Sequence, residues 1–171
     1  KAFASAEAEG ALAAACDILV RIDPDTLVLK EPSDLALPPG ISVGYVPVHQ
    51  VLIASPASRP PDEFWTEVYR VLAVPTGAAF TVDTVMEGTP VRAYFHAGLM
   101  AVRPGRGVFR QWRAALLELL RSPRLRETTR QDQGRRMSLH QAALAGAVLA
   151  TVPRAQTRQL PATYNYPLAL F

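Results

Sequence analysis

Apolar positions recur with readable periods along most of this chain, and polar clusters rich in Pro and Gly separate them. Ala2 to Ala15 is a run of strong helix formers with its acids, Glu7 and Glu9, in the N-terminal half, and it predicts a helix. It leads directly into Ile18-Leu19-Val20-Arg21-Ile22, aliphatic and β-branched, which predicts a buried strand. Thr26-Leu27-Val28-Leu29 reads as a second strand, closed by Lys30 to Asp34 and by Pro38-Pro39-Gly40 as a turn. Ile41 to Val46 alternates and predicts a strand that His49 to Ile53 continues after Pro47. A Pro-rich loop, Ser55 to Pro61, precedes a helix over Asp62 to Leu72 whose apolar face is Phe64, Trp65, Val68, Val71 and Leu72. Ala79 to Val82 and Val91 to Phe95 are strand-like and flank a turn at Glu87-Gly88-Thr89-Pro90, and Leu99 to Arg103 is a strand ended by Pro104-Gly105. Val108 to Arg121 predicts an amphipathic helix with Phe109, Trp112, Leu116, Leu119 and Leu120 on one side. Arg121 to Arg136 breaks the pattern and reads as an arginine-dense loop. A last helix is predicted from an N-cap at Ser138 through Ala150, its small residues suited to close packing, and residues 159 to 167 read as extended and irregular.

Composition narrows the class without naming it. With 171 residues, 49% hydrophobic and 19% charged, the chain predicts one globular domain spanning 1–171. A single cysteine, Cys16, excludes an internal disulfide framework and a cysteine-based zinc cluster, and its place at the start of an apolar strand predicts a buried structural thiol. The net charge of +3 is carried by arginine, since Lys1 and Lys30 are the only lysines; a surplus of this size does not call for nucleic acid. No apolar run reaches the length of a membrane span and no signal-peptide pattern opens the chain, so a cytoplasmic protein is expected. A helix followed by a strand is half of a βαβ crossover, and the chain opens on Lys1, so the sequence is read as an excerpt whose earlier strands lie upstream.

The candidate chemistry starts at Asp23-Pro24-Asp25. Two carboxylates two apart project to one side of an extended backbone, and Pro24 cannot donate to a sheet ladder, which places the pair where the strand leaves the sheet. A hard divalent cation is one partner that would offset their charge; a turn or an arginine contact is the other.

Three further segments give the order its meaning: Tyr94-Phe95-His96-Ala97-Gly98-Leu99-Met100, Leu139-His140-Gln141-Ala142-Ala143-Leu144, and Leu160-Pro161-Ala162-Thr163-Tyr164-Asn165. With Ile18 to Leu29 they resemble, in order and over most of the chain, the nucleotide-diphospho-sugar glycosyltransferases of the A-type fold, glycogenin-like members included. The resemblance implies an α/β domain with a mixed, mostly parallel central sheet flanked by helices, here lacking its N-terminal nucleotide-binding strands. It implies Mn²⁺ or Mg²⁺ at Asp23 and Asp25, with Asp25 the direct ligand and Asp23 shared with ribose or water. It implies a nucleotide-diphosphate sugar donor and an acceptor, with His96, Ala97, Gly98, Gln141, Tyr164 and Asn165 around the substrates. His96 departs from the family's usual Asn at its position and brings a different donor and acceptor geometry.

For proton transfer the sequence offers His140, placed at a predicted helix start where the dipole would keep its imidazole neutral, and Asp132 in the arginine loop, with Asp83 and Glu87 as alternatives. Each histidine also has an ordinary structural reading, and the arginine loop reads as a solvated connection or as a clamp on a diphosphate. Two rivals remain at this stage: a metal-dependent phosphatase of the haloacid-dehalogenase type, whose signature also pairs aspartates at a strand end but with a Gly that Asp25-Thr26 lacks, and a non-catalytic domain on the transferase scaffold.

Overall fold

The computed structural model describes residues 1–167. Its centre is β5 (Phe95–Val102), a strand buried at nearly every position, which β1 (Leu19–Ile22) and β2 (Val43–Pro47) flank on either side. β6 (Thr157–Gln159) completes a four-stranded sheet in the order β1-β5-β2-β6, and β3 (Thr81–Asp83) with β4 (Pro90–Arg92) forms a separate hairpin. The helices are α1 (Ala2–Leu12), α2 (Glu63–Val71), α3 (Val108–Arg121), α4 (Pro123–Gln131) and α5 (Gln133–Thr151).

The fold is mixed α/β with helices on the sheet, as the pattern suggests, but its strand directions correct the expectation of a mostly parallel sheet. β5 runs antiparallel to both β1 and β2, and β2 with β6 is the single parallel pair among the described residues. β1 and β2 point the same way but do not touch, because β5 lies between them, with Ile22 opposite Leu99 on one side and Tyr45 opposite Met100 on the other. A strand buried on both faces reads the same in either direction, so hydrophobic pattern carries no sign for this choice.

The main core lies between one sheet face and the helices: Tyr45, Phe95, Met100 and Val102 from the strands meet Trp65, Phe109, Trp112, Leu119, Leu144 and Val148. On the other face Leu35, Leu37, Val46, Leu99, Ala101 and Leu160 form a smaller cluster. The small residues of α5 do bring it close to its neighbours: a Cβ on Gly146 would come within 2.4 Å of Leu72 Cδ1 on the segment that ends α2.

Five other expectations are corrected. Thr26 to Leu29 forms no strand; Thr26 N donates to Asp23 O at 3.2 Å, closing a turn, and Leu29 is 80% exposed. His49 to Ile53 does not continue β2: after a register shift at Tyr45/Pro47 the pairing ends with Pro47 opposite Phe95, and Leu52 turns with φ +39°. The arginine-dense stretch is helical: Ser122 caps α4 by accepting from Leu125 N, Pro123 occupies the first turn, and Leu125 and Thr129 bury one side while the arginines stay in water. Asp132, accepting from Arg135 N, and not Ser138, caps α5, so that helix begins at Gln133. Cys16, expected to be buried, is half-buried, its thiol donating to Leu12 O at 3.6 Å at the frayed end of α1.

Glu67 joins α2 to α4. Its buried carboxylate accepts two bonds of 2.7 Å from Arg70 and one of 2.7 Å from Ser122 Oγ. The Arg70 hydrogen bonds, against the opposing effect of burial, hold its pKa down at about 2 from an ordinary 4.5. A carboxyl depressed in the folded state contributes stability that is present above pH 4.5 and lost as pH falls toward 2. Glu67→Gln is therefore expected to cost about 1–2 kcal/mol at neutral pH and to flatten stability in that acid window, read from urea midpoints measured against pH.

Candidate functional site

β1 ends at Ile22, and the next residue, Asp23, remains tied to the sheet by its backbone, donating to Gly98 O at 2.8 Å. The carboxylate of Asp23 lies between two cations: Lys1 Nζ at 2.5 Å and Arg21 Nη2 at 2.5 Å. Burial alone would raise its pKa, but the hydrogen bonds from Lys1 and Arg21 outweigh it and keep the group below its ordinary range. Arg21 also donates to Ala97 O, so one guanidinium bridges the Asp23 turn and β5. Asp25 lies beyond the turn, exposed, with no ion pair among the described residues.

Opposite Asp23, β5 presents His96, Ala97 and Gly98. His96 Nδ1 accepts from Gly98 N at 3.0 Å and meets Asn165 Nδ2 at 2.7 Å. A ring nitrogen that accepts from an amide N–H carries no proton, so His96 is the Nε2–H tautomer and offers a donor. His49 stacks on it with ring centroids 4.6 Å apart, and His49 Nε2 donates to Asn165 O at 2.8 Å. Asn165 achieves both contacts from a left-handed backbone, φ +55°, a conformation that asparagine tolerates better than most side chains. Gly98 is required here by space: a Cβ would lie 2.7 Å from His96 Nδ1 and 2.8 Å from Asn165 Oδ1. Gly98→Ala is thus expected to separate His96 from Asn165, which shows as large shifts of both side-chain resonances in an otherwise folded protein.

α5 supplies the remaining wall. Gln141 Oε1 accepts from Ala97 N at 3.3 Å. One residue earlier, His140 Nδ1 donates to Met137 O at 2.9 Å, leaving Nε2 as a lone-pair acceptor, and Trp112 Nε1 pins the His140 carbonyl at 2.5 Å. His140 sits in the third turn of α5 and not at the helix start, so its lowered pKa comes first from burial and then from the nearby positive charge of Lys1 and Arg21, not from the helix dipole.

All three histidines of the chain are thereby gathered around Asp23, and all are held neutral. Burial, reinforced by His49 and Lys1, pushes His96 down to about 4 from 6.5. A histidine depressed in the folded state contributes stability that is complete above pH 6.5 and lost as pH falls toward 4. An imidazole titration by NMR is expected to show His96 with a midpoint near 4, and His96→Gln is expected to remove part of the loss of stability over that window.

Of the residues proposed from sequence, Asp23, His96, Ala97, Gly98, His140, Gln141 and Asn165 converge on one place. Tyr164 stands beside them but is engaged elsewhere, its hydroxyl accepting from Asp34 N at 3.0 Å. Asp132 does not join them: as the cap of α5 it lies eight residues before His140, about 12 Å along the helix axis, and it pairs with Arg135. Glu87 holds the loop after His49 by accepting from Val51 N at 2.9 Å, and Asp83 is on the β3 hairpin. Sequence reasoning missed His49, Lys1 and Arg21. Arg21 lies two residues before Asp23 where β1 runs into it, and therefore on the same side, a signal that was available. His49 and Lys1 reach the site through tertiary packing alone.

Comparison with protein-family models, with curated proteins and with solved structures returned no match. The reading of the site rests on its own geometry. Among the described residues no group of three or more His, Cys, Asp or Glu side chains is placed to hold a metal ion. The donor set therefore does not suit an ion caged by protein alone; Asp25, two residues after Asp23, is exposed and has no ion pair among the described residues. No helix among the described residues is long and apolar enough to cross a membrane.

Proposed function

We propose that this domain is a glycosyltransferase that moves a sugar from a nucleotide-diphosphate donor to an acceptor hydroxyl. The observation that supports it is the meeting of four separate segments, at Asp23, at His96 to Gly98, at His140-Gln141 and at Asn165, the same four whose order in the sequence carries the resemblance.

In the reaction a bond forms between the acceptor oxygen and the anomeric carbon, the bond from that carbon to the phosphate oxygen breaks, and the acceptor hydroxyl loses its proton. Lys1 and Arg21 place positive charge at the end of β1, where the leaving diphosphate gains negative charge. His96 Nε2–H is a fixed donor for a sugar or phosphate oxygen, because Gly98 and Asn165 set its tautomer. Gln141 spends its carbonyl on Ala97 and so holds the His96 to Gly98 segment against α5. His140, neutral with its Nε2 lone pair available, receives the acceptor proton. Asp25 and Asp23 would hold Mn²⁺ or Mg²⁺, which would supply further neutralisation of the leaving group when bound.

The test is thermal unfolding with Mn²⁺ and a panel of UDP- and GDP-linked sugars. A donor at about a hundred times its Kd is expected to raise the melting temperature by about 5–10 °C. The shift requires the metal and disappears in Asp25→Ala, whose exposed side chain leaves the fold itself untouched. A shift that persists unchanged in Asp25→Ala would remove the metal from the proposal.

A further inference from the structure

Away from the histidines, a half-open cavity of about 270 Å³ lies between the end of α2 and Arg92 of the β3–β4 hairpin. Pro61, Val74, Pro75 and Ala79 give it apolar walls, and Tyr69, Thr76 and Arg92 bring the polar groups. Two of these are incomplete. The Tyr69 hydroxyl is buried with no hydrogen-bond partner, an arrangement that costs free energy unless something else supplies one. Arg92 donates through Nη1 to Ser55 Oγ at 3.0 Å and to Pro56 O at 2.5 Å, which fixes its guanidinium, yet no carboxylate pairs with it among the described residues. Burial raises the Tyr69 phenol to about 12; Arg92 is close enough to act against it, and Asp62, itself paired with Arg135, adds slightly to the rise.

A half-buried guanidinium held in place by neutral acceptors keeps its charge and an unused edge of donors, and a phenol that remains protonated adds one more donor. We infer that this cavity binds a small organic monocarboxylate, its carboxylate received by Arg92 and Tyr69 and its apolar body by Pro61, Val74, Pro75 and Ala79. The single cation matches a single negative charge, and the apolar walls favour a hydrocarbon or aromatic body over inorganic phosphate or sulfate. This site shares no residue with the one assigned to sugar transfer and stands or falls without it. Occupancy would brace the end of α2 against the hairpin, because the ligand touches both.

Benzoate is the probe. Titrated into the protein and followed by amide chemical shifts, it is expected to move Thr76, Gly77 and Ala79 saturably, with a Kd on the order of 1 mM or tighter. Benzamide, of the same shape without the charge, is expected to bind at least about tenfold more weakly, since a charge-assisted pair is lost. Tyr69→Phe removes only the unpartnered hydroxyl, so the free protein keeps its stability while benzoate affinity falls about five- to tenfold. Arg92→Gln abolishes binding; because that change also removes the bonds to Ser55 and Pro56, the Tyr69→Phe result carries the test if the arginine variant fails to fold. No saturable shift with benzoate, equal binding of benzamide, or an unchanged affinity in Tyr69→Phe would each overturn the assignment.

Discussion

Glu9→Ala is expected to lower the unfolding free energy by about 2–4 kcal/mol, the largest loss from a single polar side chain in this fold. Glu9 belongs to α1, is fully buried, and its two carboxylate oxygens accept from Phe109 N at 3.2 Å and Arg110 N at 2.9 Å, the first amides of α3. The residue before α3, Gly107, has no side chain to cap it, so α1 supplies the acceptor that α3 lacks. The negative charge also meets the positive end of the α3 dipole. Alanine leaves a buried amide without a partner and opens a gap in the α1–α3 contact. The Arg110 guanidinium, 3.6 Å away but half-exposed, contributes little. Glu9→Gln keeps one acceptor and is expected to recover roughly half the loss. Urea denaturation of both variants checks this; an unchanged midpoint for Glu9→Ala would show that α3 needs no cap.

The second large effect falls on the site. Asp23→Ala is expected to reduce the proposed sugar transfer by about 10²–10³-fold while the protein stays folded. Among the described residues the carboxylate is the one acidic group that touches both cations at the end of β1, and without it Lys1 and Arg21 repel each other and leave the positions they hold beside β5. Asp23→Asn keeps the shape and one acceptor but not the charge, so it separates positioning from electrostatics: a loss close to that of alanine assigns the effect to charge. Thermal unfolding is expected to show a loss of about 1–3 kcal/mol in Asp23→Ala, because the Lys1 contact is part-exposed but the Arg21–Asp23 pair is nearly buried and its guanidinium is left without an acidic partner. An active Asp23→Ala protein would place the chemistry elsewhere.

The fold is most legible in the sequence where burial alone dictates structure. α3 falls on the expected residues because Phe109, Trp112 and Leu119 recur at helical spacing and all are buried, although Leu120, assigned to the same face, is half-exposed. α4 was hidden because arginine is both a good helix former and the residue that erases a hydrophobic pattern; only Ser122-Pro123, a cap followed by a first-turn proline, announced it. Missing α4 displaced the start of α5, and that displaced His140 from a helix terminus to a third turn and gave its neutrality the wrong cause. Thr26 to Leu29 has the composition of a strand, but strand propensity is a statement about packing, and nothing among the described residues pairs with it.

The candidate site was legible as a set of segments and not as a set of contacts. Asp23, His96, Gln141 and Asn165 were each singled out, but the carboxylate pair was weighed as a metal site against an arginine contact, and among the described residues Asp23 makes the arginine contact. No spacing rule joins His49 to His96, because a loop 47 residues earlier in the chain folds back to stack one ring on the other. That meeting depends on β5 lying between β1 and β2, the strand order that the pattern could not supply.

The central claim is sugar transfer at the Asp23 and histidine cluster, and release of nucleoside diphosphate tests it most directly. Each UDP- and GDP-linked sugar is incubated with the protein, Mn²⁺ and a mixture of sugar and protein hydroxyl acceptors, and free UDP or GDP is measured. The account predicts release with at least one donor, dependent on the metal, and reduced by about 10²-fold or more in both Asp23→Ala and His140→Ala. Release that both variants retain in full, or no release and no binding with any donor, would contradict it.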